Sequence, residues 1–209
     1  MTDEEVVPYV CERMPGFVPA GEPVRLPEGN LNVVWRVVGE ETSVIVKYAP
    51  PYIAANPEMA LDPVRLEVEA RCLDVLGAEG ALASVSCSEV RPPHLIDMNA
   101  EDHILLMEDL GEVPTLGRWL REDSAADVTA AAPTVGGRLG RFIGQLHATT
   151  YNDPTYAEAF NNRPMQETRH AVQYQGVTEM LERGSVSDAE RLGDRAEDVG
   201  EGLLKRGRC

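Results

Sequence analysis

Ser43-Val-Ile-Val-Lys47 is a short apolar run that closes on a single lysine. Three consecutive β-branched residues predict a buried strand. A lysine at the end of such a strand needs a partner, because a buried ammonium otherwise pays heavily in lost hydration or gives up its proton. Two readings stand at this point. Lys47 either snorkels to water from the strand's mouth or grips an anion such as a nucleotide phosphate.

Working outward, Val33-Val-Trp-Arg-Val-Val38 predicts a second strand, and Gly39–Thr42 turn it back into Ser43–Lys47 as a hairpin. Gly29-Asn-Leu-Asn32 is a turn before it, and Val24–Leu26 a short strand. Thr2 and Glu5 fit a capping box for a first helix with the apolar stripe Val6, Val7, Val10, Cys11 and Met14. Pro8 predicts an irregular first turn, and Pro15-Gly16 the helix end. Residues 49–61 are expected as a Pro-rich loop. Two further strands, His94–Met98 and His103–Glu108, flank the polar turn Asn99–Asp102.

Between these strands, Asp62-Pro63 predicts a helix start and Gly77 its stop. On that helix Glu69 shares a face with Leu66, Cys72, Leu73 and Leu76, whereas Glu67 faces Arg71, an exposed pair of minor weight. Glu69 therefore needs a cation. Arg65, four residues earlier, is the local choice, and Lys47 the long-range one, as in the lysine–glutamate pair of kinase folds.

After Glu108 the alternation gives way to helices. Thr115 caps a short helix through Leu120. Helical stripes follow at Val135, Leu139, Phe142, Ile143 and Leu146, at Val172, Val177 and Leu181, and at Leu192, Ala196, Val199 and Leu203. The organisation predicted is α+β in two domains, a strand-rich lobe over 1–111 and a helical one over 112–209.

Composition bounds the function. The 209 residues carry 35 acidic and 19 basic side chains, a formal net charge of −16, which argues against a nucleic-acid or anionic-membrane surface. Cys11, Cys72, Cys87 and Cys209 have no metal or disulfide spacing, so reduced thiols are expected. The acidic Met-Thr-Asp-Glu-Glu start is unlike a signal peptide, and no apolar run is long enough to span a bilayer. A cytoplasmic protein is expected.

In order and spacing, Gly29-Asn-Leu-Asn-Val-Val-Trp-Arg-Val37, Ser43–Lys47 with Tyr52, Arg65-Leu-Glu-Val-Glu69-Ala, His103-Ile-Leu-Leu-Met-Glu-Asp-Leu-Gly111 and Leu139-Gly-Arg-Phe-Ile-Gly-Gln-Leu-His147-Ala resemble one family. It is the aminoglycoside phosphotransferase and choline kinase group, with the first lobe most similar to methylthioribose kinases. The resemblance covers about residues 20–150. It implies a protein kinase-like N-lobe, an antiparallel sheet plus one helix, followed by a partial helical C-lobe, in an ATP-dependent small-molecule kinase.

By that resemblance Gly29, Asn30, Leu31 and Asn32 form the loop over the phosphates, without a G-x-G-x-x-G pattern, donating backbone N–H groups. Lys47 contacts the α- and β-phosphates and Glu69 holds it. Main-chain groups near Glu108 and Leu110 bind adenine, with apolar walls such as Val46. Leu105, Met107 and His147 are expected to be structural.

The family's H-G-D-type catalytic loop and metal-binding Asp have no counterpart here. His94-Leu-Ile-Asp97 has the wrong spacing, His103, His147 and His170 have no Asp two residues on, and Asp194 sits in a solvated helix. No catalytic residue and no ligand for the family's Mg²⁺ is therefore assigned. Lys205-Arg-Gly-Arg-Cys209 stands where the catalytic strand would follow, which implies a kinase cut at the C-lobe's edge. Such a chain is expected to be inactive alone, its uncovered C-lobe helices favouring self-association. The alternative is a non-catalytic nucleotide-binding or protein-interaction remnant.

Overall fold

The protein is described by a computed structural model covering residues 1–27 and 29–206; Cys209 and the end of the C-terminal segment lie outside the described residues. Helix α1 (Asp3–Arg13) opens the chain, with the Thr2 N–H donating to Glu5 Oε2 at 2.6 Å. Contrary to expectation, Pro8 lies inside a continuous helix. Its ring faces solvent, so the carbonyl it leaves unpaired is open to water.

Strands β1 (Val24–Arg25), β2 (Val33–Val38) and β3 (Ser43–Tyr48) follow. The predicted hairpin forms, with Val34 opposite Lys47 and Val37 opposite Val44. The expected loop over 49–61 instead contains a second small hairpin, β4 (Tyr52–Ile53) with β5 (Asn56–Ala60). Its turn donates backward, from Ala54 N–H to Leu31 O at 3.3 Å and from Ala55 N–H to Asn30 O at 3.0 Å.

Helix α2 runs Arg65–Leu76 and stops at Gly77. Asp62 and Pro63 precede the helix, where Asp62 Oδ1 accepts from Val64 N–H at 2.9 Å. Strands β6 (Leu95–Asn99) and β7 (Ile104–Glu108) complete a five-stranded antiparallel sheet in the order β1-β2-β3-β7-β6.

Alternation splits this sheet's side chains between two cores. Trp35, Val37, Val44, Val46, Ile104 and Leu106 pack on Val6 and Val10 of α1. Ile45, Ala49, Leu105 and Met107 pack on Leu66, Ala70 and Leu73 of α2. The sheet is thus held between two helices, each burying an apolar stripe. The α1 side is also clasped by polar bonds. Trp35 Nε1 donates to Asp3 Oδ1 at 2.7 Å, and the Tyr9 hydroxyl to Asp97 Oδ2 at 3.1 Å. Burial, then the charge of Asp97, pushes the Tyr9 phenol up to about 12.

Past Glu108 the ordered elements are helical: α3 (Leu116–Glu122), α4 (Ala125–Thr150), α5 (Pro154–Ala159), α6 (Arg163–His170), a π-helical segment Ala171–Gln175, α7 (Val177–Arg183) and α8 (Ala189–Lys205). Thr115 caps α3 as expected, accepting from Arg118 N–H at 3.2 Å. Helix α4 begins earlier than its large-residue stripe, capped by Ser124, and passes through Pro133; none of its residues is buried. Helix α8 follows its expected packing only in part, since Ala196 and Leu203 are half-buried. Its buried positions are Ala189, Gly193 and Gly200, whereas Leu192 and Val199 are exposed. A β-carbon on Gly193 would lie 1.7 Å from Thr178 Oγ1, and one on Gly200 2.5 Å from the Tyr174 ring. Close approach selects this face rather than apolar area.

Candidate functional site

Between the sheet and the first helices beyond it lies a cleft of about 920 Å³, a volume typical of small-molecule sites. Gly29–Asn32, Val34, Arg36 and Lys47 bound it from the sheet, and Gly111–Pro114 and Arg118 from the other side. Gly29 belongs there for want of space, since a β-carbon would fall 2.5 Å from Asn32 O.

Lys47 extends from β3 on the face opposite Val44 and Val46. Its ammonium donates to Glu69 Oε1 of α2. The side chains are 22% and 33% exposed, so this pair sits at the mouth of the core. An ammonium has three donors, which leaves two for a ligand. The same alternation corrects the expected wall, because Val46 is fully buried against α1. On the cleft side the apolar surface comes from Leu26, Val34 and Val113.

Arg65 does not take Glu69. It is 7% exposed and donates to Asn32 Oδ1 (3.0 Å) and to the carbonyls of Leu31 (2.9 Å), Pro50 (3.1 Å), Leu61 (3.2 Å) and Asp62 (2.8 Å). Burial moves its pKa down, with the charge of Asp62 opposing. Nor does Arg71 pair with Glu67; it donates to the Ala159 carbonyl at the end of α5.

The segment after β7 is fastened by its acids. Glu108 receives both Arg91 Nη groups at 2.6 and 2.8 Å and the His94 N–H at 3.0 Å. The Arg91 bonds lead in holding its carboxyl down to about 2, against burial. Asp109, its side chain 4% exposed, meets Arg36 Nε at 2.7 Å, Ser43 Oγ at 2.7 Å and the Gly111 N–H at 2.9 Å. Burial raises its pKa, but the bonds from Ser43, Gly111 and Arg36 outweigh that and leave it lowered. Leu110 is 50% exposed. Glu108 and Leu110 flank the cleft without lining it, and the wall passes instead through Gly111–Pro114.

Gly29–Asn32 and Lys47 are therefore brought together on one cleft, with Glu69 touching it through Lys47. Sequence reasoning missed Arg36, Ser43, Asp109 and the role of Arg65. An arginine inside Val33–Val38 was a usable signal, since period-2 alternation puts Arg36 on the side of Val34 and hence of Lys47.

The cleft has the size and the ammonium and N–H donors to hold a small anionic ligand. The family resemblance implies magnesium, and the carboxylates that line the cleft are Glu112, Glu122 and Asp123. Among the described residues no group of three or more His, Cys, Asp or Glu side chains could hold a metal. No metal-dependent step is assigned.

The sequence profile of a family described as "Phosphotransferase enzyme family" matches residues 23–203. The chain is 26% identical over 151 residues to the 4-hydroxytryptamine kinase of Psilocybe cyanescens, spanning 70% of this chain and 42% of that protein. The corresponding figures for the 4-hydroxytryptamine kinase of Psilocybe cubensis are 24% over 153 residues, 70% and 41%. The chain thus spans less than half the length of these curated relatives. Among solved structures, a putative aminoglycoside phosphotransferase from Ralstonia eutropha JMP134 is similar at a TM-score of 0.46 and 16% identity, over 86% of this chain and 51% of that one.

Proposed function

The chain belongs to the phosphotransferase enzyme family, and on that premise we propose that it is the nucleotide-binding part of an ATP-dependent small-molecule kinase. The observation that carries this reading is the Lys47–Glu69 pair at the edge of a cleft roofed by Gly29–Asn32. Glu69 takes one ammonium donor and fixes the direction of the other two, towards phosphate oxygens. The loop adds main-chain N–H donors, and main chain near Glu108 and Leu110 receives the base. ATP supplies the phosphoryl group, and the acceptor is a hydroxyl on a small molecule, the class named for the relatives from Psilocybe.

Two lobes, 1–111 and 112–209, form this unit, and its place is the cytoplasm; no helix among the described residues is long and apolar enough to cross a membrane. Calorimetric titration with ATP tests the reading. Wild type should bind and Lys47→Ala should lose about tenfold or more in affinity, the loss of one charge-assisted contact. Equal binding by both would remove Lys47 from the site.

The 209 residues contain no histidine followed two positions later by aspartate. On that observation this stretch alone binds nucleotide without completing transfer, for lack of a base at the acceptor hydroxyl. Phosphotransfer to a defined alcohol by the purified chain, above its Lys47→Ala control, would overturn this. A second reading is a non-catalytic interaction module that self-associates, favoured by the exposure of Leu192 and Val199 on α8. Sedimentation showing a monomer at all concentrations would sink it.

A further inference from the structure

Arg65 spends all five of its N–H donors inside the protein. Four go to backbone carbonyls and one to the Asn32 side chain, and these acceptors come from three separate segments, 31–32, 50 and 61–62. No carboxylate accepts from it. A stability role needs only the links between Pro50, Leu61 and Asp62. The two bonds to Leu31 and Asn32 have a further effect on the loop that borders the cleft.

The peptide planes of that loop are oriented from behind. Leu31 O accepts from Arg65 Nη2 at 2.9 Å and from Ala54 N–H at 3.3 Å, and Asn30 O accepts from Ala55 N–H at 3.0 Å. All peptide bonds described are trans. In a trans peptide the C=O and the following N–H point in opposite directions. Pulling the Asn30 and Leu31 carbonyls towards Arg65 and the β4–β5 turn therefore turns the Leu31 and Asn32 N–H groups the other way. Neither N–H donates to an acceptor among the described residues. Leu31 and Asn32 line the cleft, whereas Ala54, Ala55 and Arg65 do not.

We propose that Arg65 is a positioning residue for phosphate binding: with the β4–β5 turn it presents the Leu31 and Asn32 N–H groups as a pre-oriented donor pair for a phosphate of the nucleotide. The small hairpin then has a purpose beyond filling a loop, since its two turn residues anchor the same peptides. This inference rests on the nucleotide reading above and adds to it the residues that set the loop's shape.

The test compares ATP with adenosine, which lacks phosphate, on the full 209-residue chain. Arg65→Lys keeps a charge but removes the fork. It should weaken ATP by about tenfold while leaving adenosine within about twofold, a split that general loosening would not produce. Ala54→Pro deletes one anchor from a half-exposed turn and should weaken ATP several-fold, again sparing adenosine, so the proposal remains testable if Arg65→Lys does not fold. Equal losses for both ligands, or ATP binding unchanged in Ala54→Pro and in any folded Arg65→Lys, would overturn the proposal. Wild type that binds no ATP, or Lys47→Ala that binds it unchanged, would overturn the nucleotide reading as well. If wild type binds and Lys47→Ala loses affinity while the Arg65 and Ala54 variants do not, the positioning role alone fails.

Discussion

In the sheet half, apart from the terminal Met1–Glu5 pair, ion pairs join segments well separated in sequence, whereas in the helical half they join one turn of a helix to the next. Lys47 reaches Glu69, Arg36 reaches Asp109 and Arg91 reaches Glu108, all partly or largely buried. Arg118–Glu122, Arg163–Glu167, Arg183–Glu179, Arg191–Asp188 and Lys205–Glu201 lie three or four residues apart on exposed surfaces. Arg138 with Glu89 crosses between the halves. Apolar burial follows the same division, since both core clusters lie within residues 6–107 while α4 buries nothing. Long-range pairs fix where segments sit; local pairs only favour the helix already formed. The sheet half therefore fixes the Lys47 side of the cleft.

The largest test of this asymmetry is a pair of truncations. Leu106→Ala, at a fully buried position, should cost about 2–5 kcal/mol in urea unfolding. Val199→Ala, 51% exposed on α8, should stay within about 0.5 kcal/mol. Comparable losses would break the comparison. Next, Asp109→Asn leaves Arg36 with a neutral amide and the exposed Glu112, and should cost about 2 kcal/mol by the same measurement.

Acid then sharpens the contrast. Glu108 is held down to about 2 from its ordinary 4.5. Between those values the unfolded chain takes up a proton that the native carboxylate refuses. The pair's contribution is therefore complete above about pH 4.5 and is lost as pH falls towards about 2. Arg91→Gln should flatten the dependence of unfolding midpoint on pH across that window, and an unchanged slope would sever the link. The smallest effect belongs to Glu122→Gln on α3, whose exposed pair with Arg118 should be worth about 0.3 kcal/mol and should fade in added salt.

What the sequence made legible divides along the same line. Alternating runs disclosed β2, β3, β6 and β7, and a core-facing carboxylate on α2 pointed back at Lys47. Assigning Val46 to the cleft was a parity error, because in a strand the neighbour of a cleft residue faces the other way. Arg65 was illegible because its acceptors are main-chain carbonyls, which every residue offers and no side-chain pattern reveals. Helix α8 was misread at Leu192 and Val199 because Gly193 and Gly200 bury little apolar area yet allow Thr178 and Tyr174 to approach. The start of α4, Ala-Ala-Asp-Val-Thr-Ala-Ala-Ala, favours helix without a large-residue stripe to mark it.

The bond between the Trp35 indole and Asp3 has an optical consequence. The chain has two tryptophans, and they fall one to each half. Trp35 is 1% exposed with its N–H engaged, while Trp119 sits half-buried on α3 beside the cleft. The molecule therefore carries two intrinsic fluorophores with contrasting access to solvent. A dissolved quencher should extinguish Trp119 before Trp35, so one emission spectrum recorded during unfolding reads both halves at once.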